Sequence, residues 1–199
     1  MVKVIISTVY SGHAIKVALS KLGADKLILV TDDIAHPTKD SAIAELKQVF
    51  KDVLKIENLK IISYNLSEIA ETVTEKIDKE FKEGNEILLH LSEGRKTTFL
   101  ALLFAGFLRK DKIKGAYYIT EENNNLINLP LIEFSIGETK KEILKQIKHG
   151  NGIAKDLKEK LEVNQSAVYQ HLQELKKEGY ISNEEEGLKL TDLGRIIIL

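Results

Sequence analysis

Two short stretches of the chain carry residue types suited to binding an anion. Ser7-Thr8-Val9-Tyr10-Ser11-Gly12 follows one apolar run, and His90-Leu91-Ser92-Glu93-Gly94-Arg95-Lys96-Thr97 follows another. Each places hydroxyls and a glycine at a strand-to-helix turn, where free backbone N–H groups and the positive end of the helix dipole favour a phosphate or a carboxylate. Arg95 and Lys96 add formal positive charge. Cations at a helix start oppose the dipole by about 0.3–1 kcal/mol, so an anionic partner accounts for them better than a solvated helix start does. For the first stretch, an ordinary turn capped by Ser11 is the plainer alternative.

Other chemistry is harder to place. The dinucleotide pattern G-x-G-x-x-G is missing, with only Gly12 present, so a nicotinamide enzyme is disfavoured despite Asp32 after the second apolar run. Gly94-Arg95-Lys96-Thr97 lacks the upstream spacing of a P-loop, which disfavours ATP hydrolysis. The five histidines are scattered and suggest no metal cluster. His90 stands at a strand end, where packing in the core is the simpler expectation. No Ser-His-Asp set can be assembled from spacing alone.

The elements that must position these loops follow from periodicity. Short β-branched runs at Val2–Ser7, Leu27–Thr31, Leu59–Tyr64, Glu86–Leu91 and Gly115–Thr120 alternate with amphipathic stretches at His13–Lys21, Lys39–Lys51, Glu68–Lys82 and Thr97–Leu108. Near-continuously apolar strands in strict β-α alternation predict an α/β domain, a Rossmann-like, mostly parallel sheet covered by helices on both faces. A short pair of strands around Pro130 is expected to close it, since proline is tolerated at a sheet edge. The stretch Thr97–Leu108 is apolar nearly all round, so it is either enclosed within one subunit or part of a subunit interface.

Beyond Phe134 the pattern changes, and the boundary is placed between residues 136 and 137. Thr139 with Glu142 reads as a capping box. Helices are expected over 140–148, 153–161 and 165–177, the last two separated by Glu162-Val163-Asn164, which is helix-turn-helix spacing. Gly179-Tyr180-Ile181-Ser182, an acidic turn and Leu188-Lys189-Leu190 read as a two-stranded wing, and Thr191 caps a last helix. At about 100° per residue, Val168, Leu172 and Leu175 face inward, while Ser166, Tyr169, Gln170, Gln173 and Lys177 face outward with Gln165 at the helix start. Three of the chain's five glutamines fall within these nine residues. Glutamine pairs bidentately with adenine in the major groove, so Gln165, Ser166, Tyr169, Gln170, Gln173 and Lys177 form the expected DNA-binding face. Lys140, Lys141, Lys176, Lys177 and Lys189 are candidates for phosphates. Residues 137–199 hold 11 Lys+Arg and 11 Asp+Glu, and Glu184-Glu185-Glu186 marks the wing tip. A neutral domain with an acidic wing leaves a protein-interaction module as the alternative, and puts any DNA recognition on the helix. His171, at the border of the core face, reads as packed.

The whole chain has 199 residues, 43% hydrophobic and 30% charged, with Lys+Arg 29 against Asp+Glu 30. This excludes a disordered tail and a uniformly basic coat. Zero Cys excludes disulfide frameworks, thiolate nucleophiles and Cys-based zinc sites. The N-terminus reads as a strand rather than a signal peptide, and the longest apolar run, Phe99 to Leu108, is half the ~20 residues of a membrane span. A cytoplasmic protein without a membrane partner is expected. The absence of Cys and Trp with abundant Lys, Glu and Ile also fits a thermophile.

Two segments resemble a known family. Ser92-Glu93-Gly94-Arg95-Lys96, running into Thr97-Thr98-Phe99-Leu100, resembles the loop of CRISPR-associated Rossmann-fold (CARF) proteins, which commonly read a hydroxyl residue, two glycines and basic residues there; Glu93 stands in place of the first glycine. The order EILKQI…IAKDLKEKLEVNQSAVYQHLQELKKEGYI…GLKLTDLGR resembles a winged helix-turn-helix. Together they resemble, over the full length, archaeal transcription regulators with residues 1–136 as a CARF ligand-binding and dimerisation domain and 137–199 as a DNA-binding domain. The resemblance implies a homodimer that binds double-stranded DNA and senses a cyclic oligoadenylate, most often cyclic tetra-adenylate, as effector with no further cofactor. A four-fold-repeating ring can meet a two-fold protein site with matched contacts. Carried over by position, Thr8, Val9, Tyr10, Ser11 and Gly12 would form one ligand loop, with Tyr10 stacking on a base, and Ser92, Gly94, Arg95 and Lys96 the other. Two alternatives stay open. One is a metal-independent ring nuclease, in which Lys96 or Arg95 steadies the transition-state phosphate and Ser11 orients it, although no general base stands out. The other is a winged-helix regulator with an unrelated effector.

Overall fold

The computed structural model describes residues 1–134, 136–150, 157, 161, 164–184 and 187–199. It divides into two compact units, Met1–Glu133 and Phe134–Leu199, whereas the composition change places the boundary at 136/137.

In the first unit, strands β1 (Lys3–Thr8), β2 (Lys26–Asp32), β3 (Lys55–Ile61), β4 (Glu86–His90) and β5 (Gly115–Ile119) alternate with helices α1 (His13–Leu22), α2 (Pro37–Val49), α3 (Leu66–Lys82) and α4 (Lys96–Leu108). Strand β6 (Leu126–Leu129) follows β5. The sheet order is β3-β2-β1-β4-β5-β6, parallel except for β5 with β6. This is the Rossmann-like α/β sheet that the alternation predicts. Its central strands carry consecutive fully buried residues, Val4-Ile5-Ile6 and Leu27-Ile28-Leu29, because helices cover both faces. Each such side chain contributes about 1.5–3 kcal/mol of burial.

Two expectations needed correction here. The third strand runs over 55–61 rather than 59–64; it is an edge strand with a largely exposed KIENLKI sequence, so its apolar signal is weak and displaced toward Ile61-Ile62. A single strand, β6, precedes Pro130 among the described residues, and 131–134 is irregular.

The order of the sheet reverses between β1 and β4, which lie side by side while their crossovers run to opposite edges. Loops leaving the carboxyl ends of these two strands therefore diverge and open a crevice. Both loops turn through left-handed glycines, Gly12 at φ 77° and Gly94 at φ 86°. A Cβ at Gly94 would lie 3.4 Å from both the Thr8 Cβ and the Val9 carbonyl oxygen, so the two loops are packed backbone against backbone.

The second unit contains helix α5 (Glu138–Lys148), helix α6 (Gln165–Lys177), the antiparallel hairpin β7 (Ile181–Glu184) and β8 (Gly187–Leu190), and helix α7 (Asp192–Ile197). Its core holds Ile143, Leu144, Ile147, Leu157, Val168, Leu172, Leu175, Ile181 and Ile196. Apart from Leu157 and Leu161, the expected helix at 153–161 and the turn residues 162–163 lie outside the described residues. Helix α6 begins where expected, with the Asn164 side chain accepting from Ala167 N at 2.8 Å. Thr191 caps α7 through Gly194 N, also as read from the sequence. Gly194 has no room for a side chain: a Cβ there would come 2.1 Å from the Tyr180 carbonyl oxygen. Thr139 does not cap α5. That helix starts at Glu138 behind Gly137, and Glu142 instead accepts from Gln146 one turn on. No helix among the described residues is long and apolar enough to cross a membrane.

Candidate functional site

The crest of the sheet, where β1, β4 and β5 end, holds a cleft of about 400 Å³ lined by loop residues from all three strands. Four of the candidate ligand residues line it: Tyr10, Ser11, Ser92 and Gly94. His13, Thr120, Glu121 and Asn124 complete the wall from α1 and the β5–β6 turn, and His13 Nε2 meets Asn124 Oδ1 at 2.9 Å. Sequence reasoning missed this third side. The Glu121–Asn125 run reads only as a loop, yet β5 also ends at the crest and the same rule of strand ends could have pointed there.

The other candidates lie elsewhere. Thr8 and Val9 are buried, at 0% and 4% exposure, so they support the site from below. Gly12, the N-cap of α1, is buried against Ala42 and Leu46 of α2. Arg95 turns away from the cleft: its Nε donates to Asp32 Oδ2 at 2.6 Å, one guanidinium N–H donates to the Tyr64 hydroxyl at 2.9 Å, and its charge sits 5.2 Å from the Tyr64 ring centroid. Asp32 also holds the buried Lys39. Burial raises the Asp32 pKa, but Lys39 and Arg95 outweigh it and keep the carboxyl below its ordinary value. Lys96 is exposed at the first turn of α4 and has no ion-pair partner among the described residues. Of the two basic residues, only Lys96 is free to meet an anion without breaking an ion pair.

Glu93 is the most heavily bonded group at the crest. Its Oε2 accepts from Gly12 N at 2.7 Å and Tyr10 N at 2.9 Å; its Oε1 accepts from Ala14 N and the Ser11 hydroxyl, both at 2.9 Å. The carboxylate therefore fills the N-terminal anion position of α1 from within the chain. Burial raises its pKa, but the backbone N–H groups of Gly12, Tyr10 and Ala14 and the Ser11 hydroxyl hold it below the ordinary carboxylate value. This corrects the expectation that α1 offers an open phosphate site. The Ser11 hydroxyl points to Glu93, and the N-cap of α1 is Gly12 with no side-chain cap.

Behind the cleft runs a chain of neutral hydrogen bonds. Ile119 N donates to Ser92 Oγ at 2.6 Å, Ser92 Oγ lies 2.8 Å from His90 Nε2, His90 Nδ1 lies 2.8 Å from Ser7 Oγ, and Ser7 Oγ donates to the Thr8 carbonyl at 2.8 Å. Since Ser7 gives its proton to Thr8, Nδ1 carries the imidazole hydrogen and Nε2 accepts from Ser92. Burial pushes His90 down to about 4, with the Glu93 charge opposing. The Ser92–His90 pair has dyad spacing, but an imidazole that weakly basic is far from the neutral pH optimum of a general base. Its work here is to tie β1, β4 and β5 together under the cleft.

Tyr10 is 43% exposed, with its ring 5.0 Å from that of His36 and its hydroxyl 3.3 Å from His36 Nε2. It stands as a side wall that is open to a planar partner. Helix α4, which leaves the crest at Lys96, buries Thr98, Ala101, Leu102 and Ala105 against the unit. Leu100, Leu103, Phe104 and Phe107 form the opposite i, i+3, i+4, i+7 stripe, with Leu100 43% exposed and the others half-buried.

In the second unit, Gln165, Ser166, Tyr169, Gln170, Gln173 and Lys177 are all exposed on α6. Gln170 Nε2 bonds to Glu174 Oε1 at 3.0 Å, leaving the amide oxygen for other partners. Two of the lysines considered for phosphates are engaged within the unit. Lys140 pairs with Glu178 at 2.8 Å and Glu174 at 3.1 Å, joining α5 to α6, and Lys189 pairs with Glu184 across the hairpin at 2.8 Å. Glu184 belongs to β7, where it pairs with Gly187; Glu185 and Glu186 of the expected acidic wing tip lie outside the described residues. His171 packs at the edge of the core, 3.6 Å from Glu174.

A Rossmann-like sheet with a crest cleft is thus followed along the chain by a helical unit whose α6 exposes a glutamine-bearing face. The chain belongs to the family of the Csa3 CRISPR-associated Rossmann-like domain, which residues 10–130 match. Residues 137–183 match the bacterial regulatory proteins of the arsR family, a helix-turn-helix class. An uncharacterised protein of Archaeoglobus fulgidus is 21% identical over 174 residues, 78% of each chain. Among solved structures, protein VC1899 from Vibrio cholerae matches 98% of this chain and 63% of its own with a TM-score of 0.54 at 12% identity. Enterococcus italicus Csm6, bound to cyclic hexa-2′-fluoro-hexa-dAMP, matches 89% of this chain and 50% of its own with a TM-score of 0.53 at 10% identity. The chain thus spans roughly half to two thirds of the length of these two proteins, and at such identities the likeness is one of fold.

Proposed function

We infer that the protein is a DNA-binding transcription regulator of a CRISPR system whose sheet domain senses a cyclic oligoadenylate, cyclic tetra-adenylate being the first candidate, across a homodimer. The observation that carries this reading is the crest cleft of a Csa3-family domain, at the point where the sheet order reverses. Such crevices take nucleotides in open α/β sheets, and Csm6, which shares the fold, is bound to a cyclic oligonucleotide analogue.

The apolar stripe on α4 supports the dimer. A second copy packed there across a two-fold axis would cover Leu100, Leu103, Phe104 and Phe107, and Lys96, four residues before Leu100, heads the same stripe. Both copies of Lys96 then approach the seam, where they meet the phosphates of one shared ring. Tyr10 offers its ring to a base, and the cleft takes the base or ribose beside it. In the second unit, the glutamine-bearing face of α6 reads base edges, while Lys176 and Lys177 hold phosphates. By linkage, ring and operator change one another's affinity by the same factor.

Calorimetric titration of the full chain with cyclic tri-, tetra- and hexa-adenylate tests the sensor, and operator binding with and without the bound ring tests the switch. Binding of the tetra-adenylate ring with a changed operator affinity is the expected result. No heat with any ring would refute the sensor, and unchanged operator constants would refute the coupling.

A further inference from the structure

The crest already holds an anion. A carboxylate offers about four acceptor positions, and Glu93 uses them on Tyr10 N, Gly12 N, Ala14 N and the Ser11 hydroxyl. It has no acceptor capacity left for a ligand, so it does not read one directly. Its charge instead neutralises the start of α1 and stays at the wall of the cleft, where, among the described residues, Glu121 is the second acidic residue and neither Lys nor Arg takes part. A phosphate entering here would have to displace a carboxylate with matched donors while facing a second negative charge. A sugar hydroxyl or an uncharged base would meet the Ser92 hydroxyl, the His13–Asn124 pair and the Tyr10 ring without that cost.

We propose that Glu93 is a specificity-determining residue, a resident anion that bars phosphate from the start of α1 and reserves the cleft for the uncharged base or ribose portion of a nucleotide. Ligand phosphates are then confined to the Lys96 side of the crest. The identity of the nucleotide rests on the function inferred above; the exclusion of phosphate does not. The low pKa of Glu93 keeps this anion in place at neutral pH.

Amide NMR on the full-length chain separates the two. In the native protein, inorganic phosphate is expected to leave the Tyr10, Gly12 and Ala14 amides unshifted, whereas adenosine shifts His13, Thr120 and Asn124. Glu93→Gly opens the position, and phosphate should then shift the Gly12 and Ala14 amides with an affinity raised about tenfold or more, the scale of a charge-assisted contact. Glu93→Gln, which keeps the bulk and removes the charge, should give a smaller gain in the same direction. Saturable phosphate shifts at these amides in the native chain, or a folded Glu93→Gly protein that takes phosphate no better, would overturn the proposal; should Glu93→Gly not fold, the native titration and Glu93→Gln decide it. A native chain that binds neither adenosine nor any ring would overturn the inferred sensor function, while the phosphate response would still report on Glu93.

Discussion

Replacing Glu93 by Gln tests how much of the crest is held by one carboxylate. Of its four hydrogen bonds, those from Gly12 N and Ala14 N are partly buried, while those from Tyr10 N and the Ser11 hydroxyl are exposed and can be replaced by water. A hydrogen bond to a charged group contributes about 1.5–3 kcal/mol. The glutamine oxygen can still serve one pair of donors, but its NH₂ would face the other pair. The expected cost at pH 7 is therefore about 2–3 kcal/mol to the sheet unit, roughly one partly buried charged bond lost and one donor pair left opposed. The pH dependence has a definite sign. Because the folded-state pKa of Glu93 lies below its ordinary value of 4.5, its stabilisation is fully present above that value and fades as pH falls through the lowered one. Native-state hydrogen exchange, read by mass spectrometry over the β1, β2 and β4 peptides of the full chain, gives the unfolding free energy of this unit at each pH. The gap between native and Glu93→Gln should narrow below about pH 4.5. A gap that is the same at pH 7 and in acid, or that stays under about 0.5 kcal/mol throughout, the ordinary range of a surface substitution, would refute the reasoning.

Further outcomes follow from the geometry at the crest, on α4 and on α6. Lys96→Ala should weaken cyclic tetra-adenylate binding at least tenfold by calorimetry while changing stability by less than about 0.5 kcal/mol, since the exposed ammonium has no ion-pair partner among the described residues; Arg95→Ala should act mainly on the fold, by freeing Asp32 and Tyr64. On the proposed dimer, native chain should sediment as a dimer and Phe104→Glu on the outer stripe of α4 as a monomer at the same concentration, with circular dichroism unchanged; a native chain that sediments as a monomer would refute the proposed dimer. Gln173→Ala should reduce operator affinity by about 1–3 kcal/mol and relax specificity at one position, whereas Lys177→Ala should weaken all sequences alike and lower the salt slope by about 1.

Most of the sheet domain was legible because its strands are buried on both sides. Val4-Ile5-Ile6 and Leu27-Ile28-Leu29 are continuous apolar runs, and helices between them impose parallel pairing. The exception, β3, is an edge strand whose Glu57, Asn58 and Lys60 remain partly or fully exposed, so its sequence carries little strand signal. At the site, the two loops and their glycines could be read from residue type alone. The partners chosen by the charged side chains could not. Arg95 finds Asp32 and Tyr64, 63 and 31 residues away, and Glu93 finds residues of the β1–α1 loop and the first turn of α1, 79 to 83 positions earlier. No local pattern encodes such distances.

Periodicity and composition thus determined a Rossmann-like sheet ahead of a helix-turn-helix, the two crest loops and the polar face of α6, because these depend on repeats of about two and 3.6 residues along the chain. Which loop atoms remain open to a ligand was decided only by tertiary structure. Gly94 lets the loop after β4 close on Thr8 and Val9, and that approach delivers the Glu93 carboxylate to the start of α1 before any outside anion can reach it. The same stretch that reads as a phosphate-binding loop in one dimension is, in three, half occupied by its own side chain.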